Sequence, residues 1–131
     1  MKKIVLIVLL LLPMTMCRVG AQPKVALIKM DTVAHDFGRV SRKGGDVVHT
    51  FTARNVGNYP LLITEAATTC TCLKVKYPKR PIAPEGEAQI EVKYEVRRKD
   101  EGPFHKIIKL LSNSVDGGCQ VLTIHGVSVD E

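Results

Sequence analysis

The chain has 131 residues, 45% of them apolar, and a formal net charge of +6. That is one domain's worth of chain, long enough to bury a real core. Lys2, Lys3 and Arg18 supply half of the net charge and belong to an apolar leader, so the remaining +3 excludes a strongly basic, nucleic-acid-coating protein and gives no ground for a nucleic-acid or anionic-membrane partner.

The leader opens with Met1-Lys2-Lys3, runs through nine unbroken apolar residues (4–12) and stops at Pro13. A basic start, a short apolar run and the exit Val19-Gly20-Ala21 have the pattern of a secretory signal peptide. Nine residues fall short of the about twenty that a helix needs to cross a bilayer core of ~30 Å, so no membrane span is expected. Cleavage is expected after Ala21, which leaves 110 residues starting at Gln22. Cys17 offers a competing reading as an acylated lipoprotein cysteine, but Met16 stands where a small residue is required, so lipidation is not expected. The organisation is then a signal peptide (1–21), a lead-in strand (22–32) and one β domain (33–131), located in the periplasm or secreted.

Beyond the leader, Gly, Pro and Asn punctuate the chain every ten to fifteen residues, and no window holds a helical apolar period. Residues 25–30 and 33–40 read as one extended first segment, with Phe37 as its anchor. A polar turn at 42–46 leads to a strand over 47–56, with Phe51 and Ala53 inward. Gly57 is expected to supply a positive φ in the next turn, and Pro60 fixes its exit. Leu61 and Ile63 then face inward on a strand ending near Ala66. Leu73, Val75 and Tyr77 alternate with Lys74 and Lys76. Residues 89–95 alternate most cleanly, with Ile90, Val92 and Tyr94 on the buried side. After the charged loop 97–102, Ile108 and Leu110 form the core of a strand over 104–111. Leu122 and Ile124 do the same over 120–129. About seven strands in ~100 residues predict an all-β sandwich of two packed antiparallel sheets.

The series His35-Asp36-Phe37-Gly38, then Phe51, Asn55 and Gly57, then Pro60-Leu61-Leu62-Ile63, Cys70-Thr71-Cys72, Ile82-Ala83-Pro84-Glu85-Gly86 and Ser112-Asn113 resembles the bacterial family labelled domain of unknown function 1573. The resemblance spans about residues 33–129. It implies an immunoglobulin-like β-sandwich outside the cytoplasm and carries no established activity. The family commonly shows Cys-Gly-Cys followed by Thr, whereas this chain has Thr71 and Leu73, and Thr does not readily adopt the positive φ that Gly allows.

Cys70 and Cys72 have three readings. They pack the end of the sandwich as small hydrophobes, form a local disulfide, or hold a soft ion such as Cu(I) or Zn as two thiolate ligands. In a fully extended strand their Cα atoms would lie ~6.5–7 Å apart, at the limit of disulfide geometry, so a bond between them needs a local turn. Cys119 falls at the opposite end of the strand count, so no bond to Cys70 or Cys72 is expected, and it is left unpaired or for an intermolecular disulfide. His35, His49, His105 and His125 have no metal-ligand spacing and read as surface or strand-edge residues. No nucleophile elbow, phosphate loop or acid pair appears, and no cofactor is called for.

The resulting expectation is a non-enzymatic interaction or structural module of the cell envelope, with an envelope or secreted protein as its partner. Its candidate contact surface is the end that carries Cys70, Thr71, Cys72 and Leu73, the turn at 42–46, and Arg97 and Arg98. The alternative is a soft-metal or thiol-redox protein that uses the Cys70-Thr71-Cys72 corner.

Overall fold

Eight strands form two facing layers in the computed structural model of the chain, which describes residues 20, 22–96 and 101–130. The strands are β1 (Ile28–Met30), β2 (Ala34–Ser41), β3 (Val47–Asn55), β4 (Ile63–Thr68), β5 (Leu73–Lys76), β6 (Glu87–Tyr94), β7 (Gly102–Ser112) and β8 (Cys119–Val129). One sheet has the order β1-β3-β6-β5 and the other β2-β8-β7-β4. The signal-peptide and Cys17 expectations fall on residues 1–21, which apart from Gly20 lie outside the described residues, as do Arg97 and Arg98. Among the described residues no helix is long and apolar enough to cross a membrane.

Two-residue alternation places the core. On β6 the residues Ile90, Val92 and Tyr94 are fully buried, and β6 is flanked by β3 and β5, so its whole inner face is covered. Phe51 and Ala53 on β3 bury beside them. Ile108 and Leu110 on β7 and Leu122 and Ile124 on β8 approach from the facing sheet. Each large apolar side chain taken fully from water contributes about 1.5–3 kcal/mol, and these side chains hold the layers together.

The single segment expected over residues 25–40 is instead two strands in different sheets. β1 pairs antiparallel with β3, which makes the lead-in part of the first sheet. The chain then crosses at Asp31. Its backbone N–H donates to the Thr52 carbonyl (3.0 Å), and its Oδ1 accepts from the N–H groups of Thr32 (2.7 Å) and Thr52 (3.0 Å). These bonds tie the crossing to the middle of β3 and satisfy backbone groups that neither sheet can. β2 therefore joins the second sheet by a crossover rather than a hairpin, and it lies parallel to β8, an exception to the antiparallel rule of this fold. Phe37, the expected anchor, is half-buried, and Val40 is the core residue of β2.

Gly57 also has a different role from the one expected. Its φ is not positive. A Cβ there would collide with the Val25 carbonyl oxygen and stand 2.7 Å from the Leu27 nitrogen, so glycine is required for close approach of two backbones. Gly57→Ala is expected to cost ~1–3 kcal/mol through overpacking, read as a lower urea midpoint with an unchanged m-value.

Candidate functional site

The turn at 42–46, the corner at 69–72, the end of β6 and the start of β7 share one end of the sandwich. The register places them there: Val47 and Leu73 both pair with Tyr94, and Ser41 pairs with Val129 while Gly102 pairs with Ser128. Arg42 faces Asp130 (3.5 Å) and Lys93 faces Asp46 (3.5 Å) across this end.

The corner carries β4 of one sheet into β5 of the other. Cys70 and Cys72 are joined as a disulfide with their Cα atoms 5.1 Å apart. That distance is shorter than an extended strand gives because the chain turns: the Leu73 N–H donates to the Cys70 carbonyl (3.2 Å), and the Thr68 hydroxyl donates to the same oxygen (3.3 Å). The Glu95 N–H donates to the Cys72 carbonyl (2.8 Å) and ties the corner to the end of β6. Thr71 has no positive φ, so the turn closes without the glycine that the family pattern favours. The sulfurs are bonded to each other, and in this state neither is a thiolate ligand. Among the described residues no group of three or more His, Cys, Asp or Glu side chains is gathered for a metal ion.

Exposure narrows the candidate contact surface. Cys72 is fully buried and Leu73 is 5% exposed, so both belong to the core; of the corner residues 70–73 a partner reaches the half-buried Cys70 and the exposed Thr71. Beside them a cleft of about 440 Å³ runs between β4 and β5, lined by Ala66, Thr68, Leu73, Val75 and Lys93 among others. A larger depression of about 920 Å³ lies away from the corner, on the outer face of β6 under residues 76–83. Cys119 begins β8 opposite Leu111, at the far end from the corner, and is a free, exposed thiol.

Two features are not contained in the local sequence pattern. The first is an open strand edge. β7 pairs with β8 from Gly102 to Leu111, but β4 accompanies it only from Ile108 to Ser112, because β4 stops at Thr68 and turns to the other sheet. Residues 102–107 of β7 therefore have an edge without a partner strand among the described residues, at the end that carries the disulfide. The second is a pair of stacked imidazoles. His35 on β2 and His49 on β3 lie with ring centroids 3.6 Å apart and planes 9° from parallel. Sequence reading places both at the surface or a strand edge; the structure puts His35 on the edge strand β2 and leaves both half-buried, stacked between the layers. His105 and His125 do lie on the outer face, directly opposite each other on β7 and β8, with His125 Nδ1 4.0 Å from Asp36.

A family model described as "Protein of unknown function (DUF1573)" matches residues 28–128. No curated protein matches the chain. Among solved structures, a protein of unknown function from Porphyromonas gingivalis W83 superposes with a TM-score of 0.71 at 15% identity, covering 84% of this chain and 51% of that one. This chain thus spans about half the length of that protein. The ASH / PapD-like domain of human CEP192 superposes with a TM-score of 0.67 at 8% identity, covering 84% and 90%. The Vibrio cholerae VesB protease superposes with a TM-score of 0.58 at 17% identity, covering 77% of this chain but 31% of the protease. At these identities the likenesses show a shared immunoglobulin-like, PapD-like sandwich and nothing of activity.

Proposed function

The chain belongs to the DUF1573 family, and from that premise we propose that it is a non-enzymatic interaction module of the bacterial cell envelope that takes up an extended partner segment along the open edge of β7. The observation that carries this reading is the early departure of β4, which leaves residues 102–107 of β7 unaccompanied among the described residues, beside the disulfide corner. Unpaired backbone N–H and C=O groups on a strand edge are a template for another strand, and a partner segment would continue the line of β4. An extracytoplasmic location is supported by the leader pattern of residues 1–21 and by the disulfide, which persists in oxidising compartments.

The test is site-specific photocrosslinking in cells. A benzophenone side chain at Thr71 or His105 should give adducts of a common mass, and one at Asp116, at the opposite end, should give none. Adducts from position 116 alone, or none from 71 and 105, would overturn the reading.

The disulfide favours one second reading, thiol–disulfide exchange. Cys70 is the accessible sulfur and Cys72 is buried, so an external thiolate would attack Cys70 Sγ, form a mixed disulfide and release Cys72 as the thiolate. If a reduced dithiol reagent in excess leaves the native Cys70–Cys72 bond intact, this reading fails.

A further inference from the structure

The two sheets meet along a second seam, on the side away from the disulfide-bearing strands. There β2 is the edge of its sheet, and β3 is effectively the edge of the other, because β1 covers only Ala53, Arg54 and Asn55. The inward face of β3 carries His49 two residues before Phe51, and β2 carries His35 two residues before Phe37. The four rings interlock across the gap. The imidazoles stack at 3.6 Å, the Phe37 ring stands edge-on to His35 at 4.6 Å, and the Phe51 ring stands edge-on to His49 at 4.6 Å. The seam is thus closed by aromatic stacking between strands of different sheets, and its two central rings can each take up a proton.

We propose that the His35–His49 stack is an acid-sensitive latch, which holds β2 against β3 while both rings are neutral and releases β2 from the seam when they are protonated. Two cationic imidazoles face to face at this spacing repel each other, and their surroundings offer little relief. His49 Nε2 is buried with no hydrogen-bond partner among the described residues, so a proton there finds no acceptor. Opposite His49 on β6 stands Val92, and opposite His35 on β8 stands Ile124, both fully buried and apolar. Asp31, at the crossing from β1, is the carboxylate that acts on His49, and its Oδ1 already accepts from the N–H groups of Thr32 and Thr52. Asp36 points to the outer face, toward His125.

The direction of the pH effect follows from His49. Burial first, and the positive charge of His35 second, lower its pKa below 6.5, with Asp31 partly opposing. Between that lowered value and 6.5 the open seam binds a proton that the closed seam does not. Closure is therefore most favoured well above pH 6.5 and weakens as pH falls from there to the lowered value, by up to about tenfold in the closed-to-open ratio per pH unit for each such proton.

Hydrogen exchange followed by mass spectrometry tests this at pH 7.5 and 5.5, with rates corrected for intrinsic chemistry and normalised to β7. In the wild type, exchange in β2 and in residues 47–51 should rise at the lower pH, by up to about tenfold. In His49→Phe, which keeps a ring in the gap, the two pH values should give the same normalised exchange. An unchanged wild-type ratio, or an equal rise in His49→Phe, overturns the latch. If His49→Phe does not fold, the imidazole titration of His49 followed by NMR decides. In His35→Ala its midpoint should move upward toward 6.5, and an unmoved midpoint overturns the proposal.

Discussion

Replacing Asn55 with alanine should lower the unfolding free energy by ~3–5 kcal/mol, an effect large enough to unfold a marginal domain. Asn55 ends β3, is fully buried and makes four hydrogen bonds to backbone groups. Its amide donates to the carbonyls of Tyr59 (2.7 Å) and Ile82 (2.9 Å), and its Oδ1 accepts from the N–H groups of Gly57 (3.0 Å) and Leu27 (3.5 Å). One side chain thus satisfies backbone groups of three separate segments that meet at the end opposite the disulfide. Alanine would leave the Tyr59 carbonyl and the N–H groups of Gly57 and Leu27 without this partner where water reaches only in part, at about 1–3 kcal/mol for each group left unsatisfied, while the Ile82 carbonyl keeps the Leu61 N–H (2.9 Å). Part of this is recovered where the end relaxes, which is why the expected total stays below the sum. Asn58→Ala is the control. Asn58 makes the same kind of bonds, from the Val25 N–H (2.7 Å) and to the Pro23 carbonyl (3.2 Å), but in an exposed setting. Water replaces those partners, and the cost should stay near ~1 kcal/mol. Urea unfolding followed by far-ultraviolet circular dichroism separates the two; equal losses in both variants would contradict the primacy of burial.

This rigid end has a bearing on function. Asn55, together with Asn113, whose Oδ1 accepts from the Leu62 N–H (2.8 Å) and whose amide donates to the Pro60 carbonyl (3.1 Å), locks the connections on one side of the sandwich. At the other end the core is closed by the Tyr94–Phe104 stack, and the connections above it are held by the short disulfide corner and by surface ion pairs of the kind that contribute little. An arrangement with one end fixed and the other accessible suits a module that presents its free end to a partner.

The inward parity of the strands was open to sequence reading because each sheet has one covered face. Phe51 and Ala53, Ile90, Val92 and Tyr94, and Leu122 and Ile124 are all buried where two-residue alternation places them. The same parity, carried two residues back from Phe51 and Phe37, puts His49 and His35 between the layers. Polarity points to the surface or a strand edge; both rings are half-buried and His35 stands on the edge strand β2, but sequence does not show that each ring finds the other across the seam. The crossing at Asp31 was also hidden. A carboxylate in an extended stretch looks like a solvated residue, and only the position of Thr52 shows it to be a cap. The open edge of β7 cannot be read from residues 102–107 at all, since it depends on where β4, some forty residues earlier, leaves the sheet.

Tyr94 gives the second large effect, and one of opposite sign for two substitutions at one position. It ends β6, pairs with Val47 on one side and Leu73 on the other, and stacks on Phe104 of the facing sheet with centroids 4.3 Å apart. Tyr94→Ala removes a fully buried ring from the centre of that end and should cost ~3–5 kcal/mol, by analogy with other large aromatic truncations. Its hydroxyl is a separate matter. It is buried with no hydrogen-bond partner among the described residues, and burial raises its pKa, as expected of a phenol shielded from water. Tyr94→Phe keeps the stack and deletes the desolvated group, so it should be neutral or stabilising by up to ~1–2 kcal/mol. The corner reports on the same residue. Glu95 follows Tyr94 and donates to the Cys72 carbonyl, and Leu73, which follows Cys72, lies across from Tyr94 in the sheet. Tyr94→Ala should therefore speed reduction of the Cys70–Cys72 bond by dithiothreitol, and Tyr94→Phe should leave that rate unchanged. A loss of more than about 1 kcal/mol in Tyr94→Phe would mean that the hydroxyl is satisfied in solution, and an unchanged reduction rate in Tyr94→Ala would mean that the corner stands independently of the core beneath it.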